Sequence, residues 1–151
     1  MTVRELLEKI KQKAEIEDSK EDLGVLNAYV KPSSLRSLLI YMRDSLGFDW
    51  MSFMTALDMP QENTIEAVYE LFSNSSKDSA RIKVKLSRQA AEVETVSDIY
   101  RTAEWHEREA AEMFGITFKN HPHPENLILT PDIKAPLRKD FSGGDMKRMP
   151  E

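Results

Sequence analysis

The chain has no cysteine among its 151 residues. That one absence excludes disulfide frameworks, thiolate zinc sites, cysteine-ligated iron–sulfur clusters and cysteine nucleophiles together. Glycine is scarce: five residues, none in a G-x-G-x-x-G or G-x-x-x-x-G-K arrangement, so no glycine-rich loop is present to cradle a phosphate. A Gly-x-Ser-x-Gly turn that would present a nucleophilic serine is also missing. No stretch approaches the roughly 18 consecutive apolar residues of a membrane span. The N-terminal segment mixes Arg4, Glu5 and Glu8 with Leu6 and Leu7 and lacks the apolar run and cleavage site of a secretion signal. Basic residues are outnumbered, 21 against 26 acidic, for a formal charge of -5, the opposite of a phosphate-tracking surface. These absences predict a cytoplasmic protein with no membrane span and no nucleic-acid partner.

What is present suffices for one core. The apolar fraction is 40% and the charged fraction 31%, and a chain of this length buries roughly 70% of the surface its unfolded form exposes. Thr2 followed by Leu6, Leu7 and Ile10 predicts a first amphipathic helix to about Lys13, and 25–30 reads as a short strand. After Pro32, Leu35, Leu38, Leu39 and Met42 recur at helical spacing until Gly47. Three strands are predicted at 48–57, 64–72 and 80–87, the last alternating Ile82, Val84 and Leu86 with Arg81, Lys83 and Lys85. Turn residues from Ser73 to Asp78 make the last two an antiparallel hairpin, with Glu66 and Glu70 facing Lys83 and Lys85 on a solvated face. A third helix is predicted over 96–114, capped by Gly115, with Ile99, Ala103, His106, Ala110, Met113 and Phe114 as its apolar stripe. Arg108 falls opposite that stripe, between Glu104 and Glu112, and Trp105 lies outside it, an aromatic in want of a cover.

The expected fold is therefore α+β, a two-layer sandwich of helices on a mostly antiparallel or mixed sheet, with an extended C-terminal arm. The arm follows from composition. Five of the seven prolines, Pro122, Pro124, Pro131, Pro136 and Pro150, lie in the last stretch with Gly143 and Gly144, and proline removes a backbone donor from any regular element. The expected organisation is a globular domain over 1–118 and a proline-rich, partner-binding arm over 119–151. Its aliphatic anchors Leu127, Ile128 and Leu129 and its charged run suit wrapping a partner.

Two constellations suggest chemistry of the chain's own. One is a small metal-dependent hydrolase using His106, His121, His123 and nearby glutamates, since imidazole and carboxylate suit several divalent metals. The spacing after His106 departs from the His-Glu-x-x-His pattern that sets two imidazoles on one helix face, which favours a hydrogen-bonded structural histidine. The other is a carboxylate pair, Glu107 and Glu109, but their directions differ by about 200° around a helix.

One compound pattern is specific. Glu107-Arg108-Glu109, then Met113-Phe114-Gly115-Ile116-x-Phe118, His121-Pro122, and Pro136-Leu137-Arg138-Lys139-Asp140-Phe141 follow in order. In this pattern the chain resembles the C-subunit family of NADH:quinone oxidoreductase, respiratory complex I. That family includes archaeal dehydrogenases of a reduced deazaflavin coenzyme and energy-converting membrane-bound hydrogenases. The resemblance implies a structural subunit of the peripheral arm of a proton-pumping enzyme, with no catalytic site and no cofactor of its own; iron–sulfur clusters and quinone belong to partner subunits. It implies docking against the quinone-site D subunit and the terminal-cluster B subunit, peripherally, at the cytoplasmic face of the cell membrane. Residues implied in the family motif and in partner binding are Trp105, Glu107, Arg108, Glu109, Phe114, Gly115, His121, Pro122, Pro136, Leu137, Arg138, Lys139, Asp140 and Phe141. Glu107, Arg108 and Glu109 would order the last helix, and Arg138, Lys139 and Asp140 would fix the arm on the partner.

Overall fold

Helix α1 (Val3–Lys11) starts where a capping box closes it. Thr2 Oγ1 accepts the Glu5 N–H at 3.2 Å and the Thr2 N–H donates back to Glu5 Oε2 at 3.2 Å, so two otherwise orphaned donors are satisfied. This computed structural model describes residues 2–122. Strands β1 (Ile16–Asp22) and β2 (Val25–Val30) follow as a hairpin, then a 3-10 turn at Pro32–Ser34 leads into helix α2 (Leu35–Asp44). Next come β3 (Trp50–Met59), β4 (Thr64–Phe72), β5 (Ser79–Ser87), the short β6 (Glu92–Glu94), helix α3 (Ala103–Phe114) and β7 (Thr117–Lys119).

The main sheet has the order β1-β2-β5-β4-β3, with β2 and β5 parallel and the other pairs antiparallel; β6 and β7 form a separate parallel pair. Leu6 and Ile10 of α1 and Leu35, Leu38, Leu39 and Met42 of α2 share one core with Leu26, Ala28, Val30, Ile65, Ala67, Leu71, Ile82 and Val84 of the sheet. The α+β expectation holds, as does the hairpin: Ser73 donates to the Asp78 carbonyl at 2.9 Å and Lys77 to the Ser73 carbonyl at 2.8 Å.

Four details differ from the sequence-based expectation. Strand β1 is absent from that expectation, because a strand reading Glu17, Asp18, Lys20, Glu21 and Asp22 has no apolar face; it exists as the sheet's edge through backbone pairing with β2, and edge charges oppose further pairing. Strand β3 begins at Trp50 rather than 48, since buried Phe48 sits in a turn where its N–H reaches the Met42 carbonyl and its carbonyl accepts the Tyr100 hydroxyl at 2.6 Å. Helix α3 begins at Ala103, not 96, because residues 96–102 make tight turns such as Ile99 N–H to Val96 O. In the β4–β5 register Glu66 opposes Lys85, Val68 opposes Lys83 and Glu70 opposes Arg81. The charged face is not simply wet, because Glu66 is buried and accepts the Tyr29 hydroxyl at 3.2 Å. Burial and the Glu66 charge push the Tyr29 phenol up to about 12.

The β1–β2 turn is two residues long, Leu23 and Gly24, at φ +50° and +79°. A two-residue hairpin turn with both φ positive matches the strand twist, and Asn-Gly is its preferred filling. Leucine at that position carries a left-handed cost of roughly 1–2 kcal/mol.

Candidate functional site

The motif residues within the described chain gather on α3 and the strand after it. Helix α3 packs along β3, the free edge of the main sheet. Its fourth residue, His106, turns inward, and His106 Nδ1 accepts the Met54 N–H at 2.9 Å. An accepting Nδ1 leaves the neutral ring's proton on Nε2, and the contact closes part of a sheet edge that would otherwise offer an unpaired donor. His106 is thus the hydrogen-bonded histidine anticipated as the alternative to a metal ligand.

Glu107 is the polar centre of the region. Its side chain is fully buried, and it accepts the Thr95 hydroxyl at 2.8 Å and the Val96 N–H at 2.9 Å. Desolvation pushes its carboxyl up to about 7, against the opposing pull of those two donors. Buried Tyr69 of β4 lies close enough that the Glu107 charge, after burial itself, raises the phenol. Glu107 is thus neither the ion pair nor the solvated acid that its composition suggests; it clamps the turn before α3 from inside. That turn is held again from α2: Arg36 makes two bonds to Asp98, at 2.7 and 2.8 Å, and a third to the Thr95 carbonyl at 2.7 Å, while Arg43 reaches the Ile99 carbonyl at 3.1 Å. Sequence reasoning missed Thr95, Arg36 and Asp98. A signal existed for part of this, since Thr95-Val96-Ser97-Asp98 is a run of side chains that cap turns, and the Ser97 N–H does bond Thr95 Oγ1 at 3.2 Å.

The outer side of α3 differs. Trp105 is 57% exposed, and the Arg108 guanidinium lies over its ring, 5.2 Å from the centroid, a cation–π stack. Glu109 is exposed on the same helix and Phe114 is half-buried against the core. Gly115 ends α3 in the left-handed conformation, φ +72°, with its N–H on the Ala111 carbonyl at 3.0 Å, as predicted for a C-cap. His121 Nε2 donates to the Glu104 carbonyl at 3.0 Å, and Pro122 follows exposed. A cleft of about 250 Å³ opens between α3 and β7, lined by Glu107, Arg108, Ala111, Ile116, Phe118 and His121, smaller than the ~300 Å³ lower end of ligand sites.

The two described histidines are each engaged with backbone, and among the described residues no group of three or more His, Asp or Glu is placed to hold a metal ion. The hydrolase alternative finds no support in this geometry. His123, Pro136, Leu137, Arg138, Lys139, Asp140 and Phe141 lie outside the described residues.

Comparison with known proteins agrees with the arrangement on α3. The family described as "Respiratory-chain NADH dehydrogenase, 30 Kd subunit" matches residues 28–147. The C subunit of the F(420)H(2) dehydrogenase of Methanosarcina mazei is 38% identical over 120 residues, spanning 78% of this chain and 76% of the relative. A fused C/D subunit of the NADH-quinone oxidoreductase of Bdellovibrio bacteriovorus is 37% identical over 114 residues, 74% of this chain and 20% of the longer protein. Among solved structures, a chain of the membrane-bound sulfane sulfur reductase, an archaeal respiratory membrane complex, superposes with a TM-score of 0.76 at 31% identity, covering 92% of this chain and 85% of that one.

Proposed function

The chain belongs to the 30 Kd subunit family of respiratory-chain NADH dehydrogenase, and from that premise we propose that it acts as a docking subunit rather than as a redox carrier. It is a C-type component of the NADH or F420H2 oxidoreductase family. In the proposed role it joins the quinone-site D subunit and the terminal-cluster B subunit in the peripheral arm, at the cytoplasmic face of the membrane, and supports electron transfer to quinone without binding a cofactor.

The observation that carries this reading is the Trp105–Arg108 stack. An aromatic 57% exposed under a guanidinium, on a helix whose other face is clamped by Glu107, His106 and Gly115, has the composition of an interface anchor. Its rigid backing limits the entropy lost on docking. The relative in which C and D are one polypeptide supports a D-type neighbour. Lack of cysteine removes the usual ligands of an iron–sulfur cluster, which supports a role without one. Among the described residues no helix is long and apolar enough to cross a membrane, so association with the complex would run through protein contacts. Residues Pro136–Phe141 of the arm are proposed to add a second contact.

Co-purification tests the reading. The tagged chain, extracted from native membranes, is expected to bring D- and B-type subunits with it, and Trp105→Ala to reduce their yield. In the isolated chain residues 119–151 should be cut by trypsin, and an added D-type partner should protect them. Isolation from membranes free of any partner, or full protection of 119–151 in the lone chain, would overturn the proposal.

A further inference from the structure

The hairpin tip opposes its own stability. Leu23 is 97% exposed, against 57% for the next most exposed large apolar side chain among the described residues, and it holds φ +50° where asparagine is the favoured occupant. The other non-glycine residues with positive φ among the described residues are Asn63, Lys77 and Asn120, polar side chains that face water readily. Leu23 therefore bears two costs at once, an exposed apolar side chain and a strained backbone. Such outliers are a starting point for a functional hypothesis. Behind the tip, β1 presents Glu17, Asp18, Glu21 and Asp22 with one cation, Lys20. The hairpin is a stiff two-stranded arm with an apolar end and an acidic shaft.

We propose that the β1–β2 hairpin is a docking prong. Its Leu23 tip inserts into an apolar socket on another protein of the complex, and its carboxylates meet a basic rim around that socket. The occupant is argued from charge: four acids against one base suit a basic protein surface and repel an anionic lipid bilayer. The turn at the prong's tip lies before residue 28, where the family match begins, so it adds a contact separate from the α3 stack. The inference rests on the reading of this chain as a subunit of a larger assembly.

Leu23→Asn separates a docking role from a structural one, because the two predict opposite signs. Relief of strain at a position that prefers asparagine raises the melting temperature of the isolated chain, by roughly 2–4 °C. Rebinding of purified full-length chain to membranes of a strain lacking it is then measured. The variant is expected to need at least about tenfold more protein for half-saturation, Leu23→Met to rebind like the unaltered chain, and Glu21→Gln with Asp22→Asn to weaken rebinding at low salt more than at high salt. Rebinding of Leu23→Asn at the unaltered concentration would sink the prong, as would equal binding of the chain to protein-free anionic phospholipid vesicles. Failure of the unaltered chain to rebind at all would remove the subunit reading and the prong with it, a result distinct from either.

Discussion

His106 on α3 accepts the backbone N–H of Met54 on β3 at 2.9 Å, so a histidine that sequence offers as a catalytic or metal-binding candidate instead seals the edge of a sheet. His106→Ala leaves a half-buried N–H without its acceptor and should cost about 1–3 kcal/mol in denaturant unfolding. The metal content of the purified protein should not change. A stoichiometric ion that disappears with the substitution would contradict the structural role.

Glu107 gives stability a pH dependence of defined sign. Its folded value, about 7, lies above the ordinary 4.5, so the native state holds the proton more tightly than the unfolded chain. Its contribution is complete below about pH 4.5 and is lost as pH rises to about 7, an amplitude of about 3 kcal/mol. Depressed carboxylates such as Asp49 and Asp98 act in the opposite sense, so the comparison to make is Glu107→Gln minus unaltered chain. That difference should be flat below about pH 4.5 and shift in favour of the glutamine variant toward pH 8. A difference independent of pH would show that Glu107 is ionised throughout.

Tyr69 is fully buried, and its hydroxyl has no hydrogen-bond partner among the described residues. A buried donor without an acceptor costs about 1–3 kcal/mol, so Tyr69→Phe should hold or raise stability, by up to about 1 kcal/mol. A loss above about 1 kcal/mol in urea unfolding would mean the hydroxyl is bonded after all.

Arg88 and Asp58 form a two-point pair at 2.8 and 3.0 Å, with the Asp58 side chain 1% exposed. Arg88→Ala strands a buried carboxylate and should cost about 3–5 kcal/mol, while Arg88→Met combined with Asp58→Leu should recover most of it. Calorimetric melting of the two variants decides this; equal losses would show that shape, not charge, matters there.

Gly115→Ala places a side chain at φ +72° and should cost about 1 kcal/mol by equilibrium unfolding. An unchanged midpoint would mean that the cap rearranges.

Much of the scaffold is readable because its pattern is local. Ile82, Val84 and Leu86 alternate with charge along β5, the 73–78 link carries turn residues, and Thr2 with Glu5 announces α1. Strand β1 is not readable because an edge strand can be held by its backbone alone, leaving no apolar period to detect. The pattern extends helix α3 seven residues too far for a related reason: Val96, Ile99, Tyr100 and Ala103 are all buried and keep a helix-like spacing, yet the Glu107 clamp takes the Val96 N–H into a turn.

What the sequence alone determined was the exclusion of thiol chemistry, the α+β class, the Gly115 cap and the family motif, because each depends on residue type and short spacing. What only the tertiary structure decided was the work of each polar residue. Glu107 reads as a surface acid until Thr95 and Val96 are seen around it, and His106 as a ligand until it meets Met54. Those partners lie 11 to 52 residues away in the chain, and burial, which sets the protonation and role of a side chain, is a property of the packed neighbours rather than of the residue.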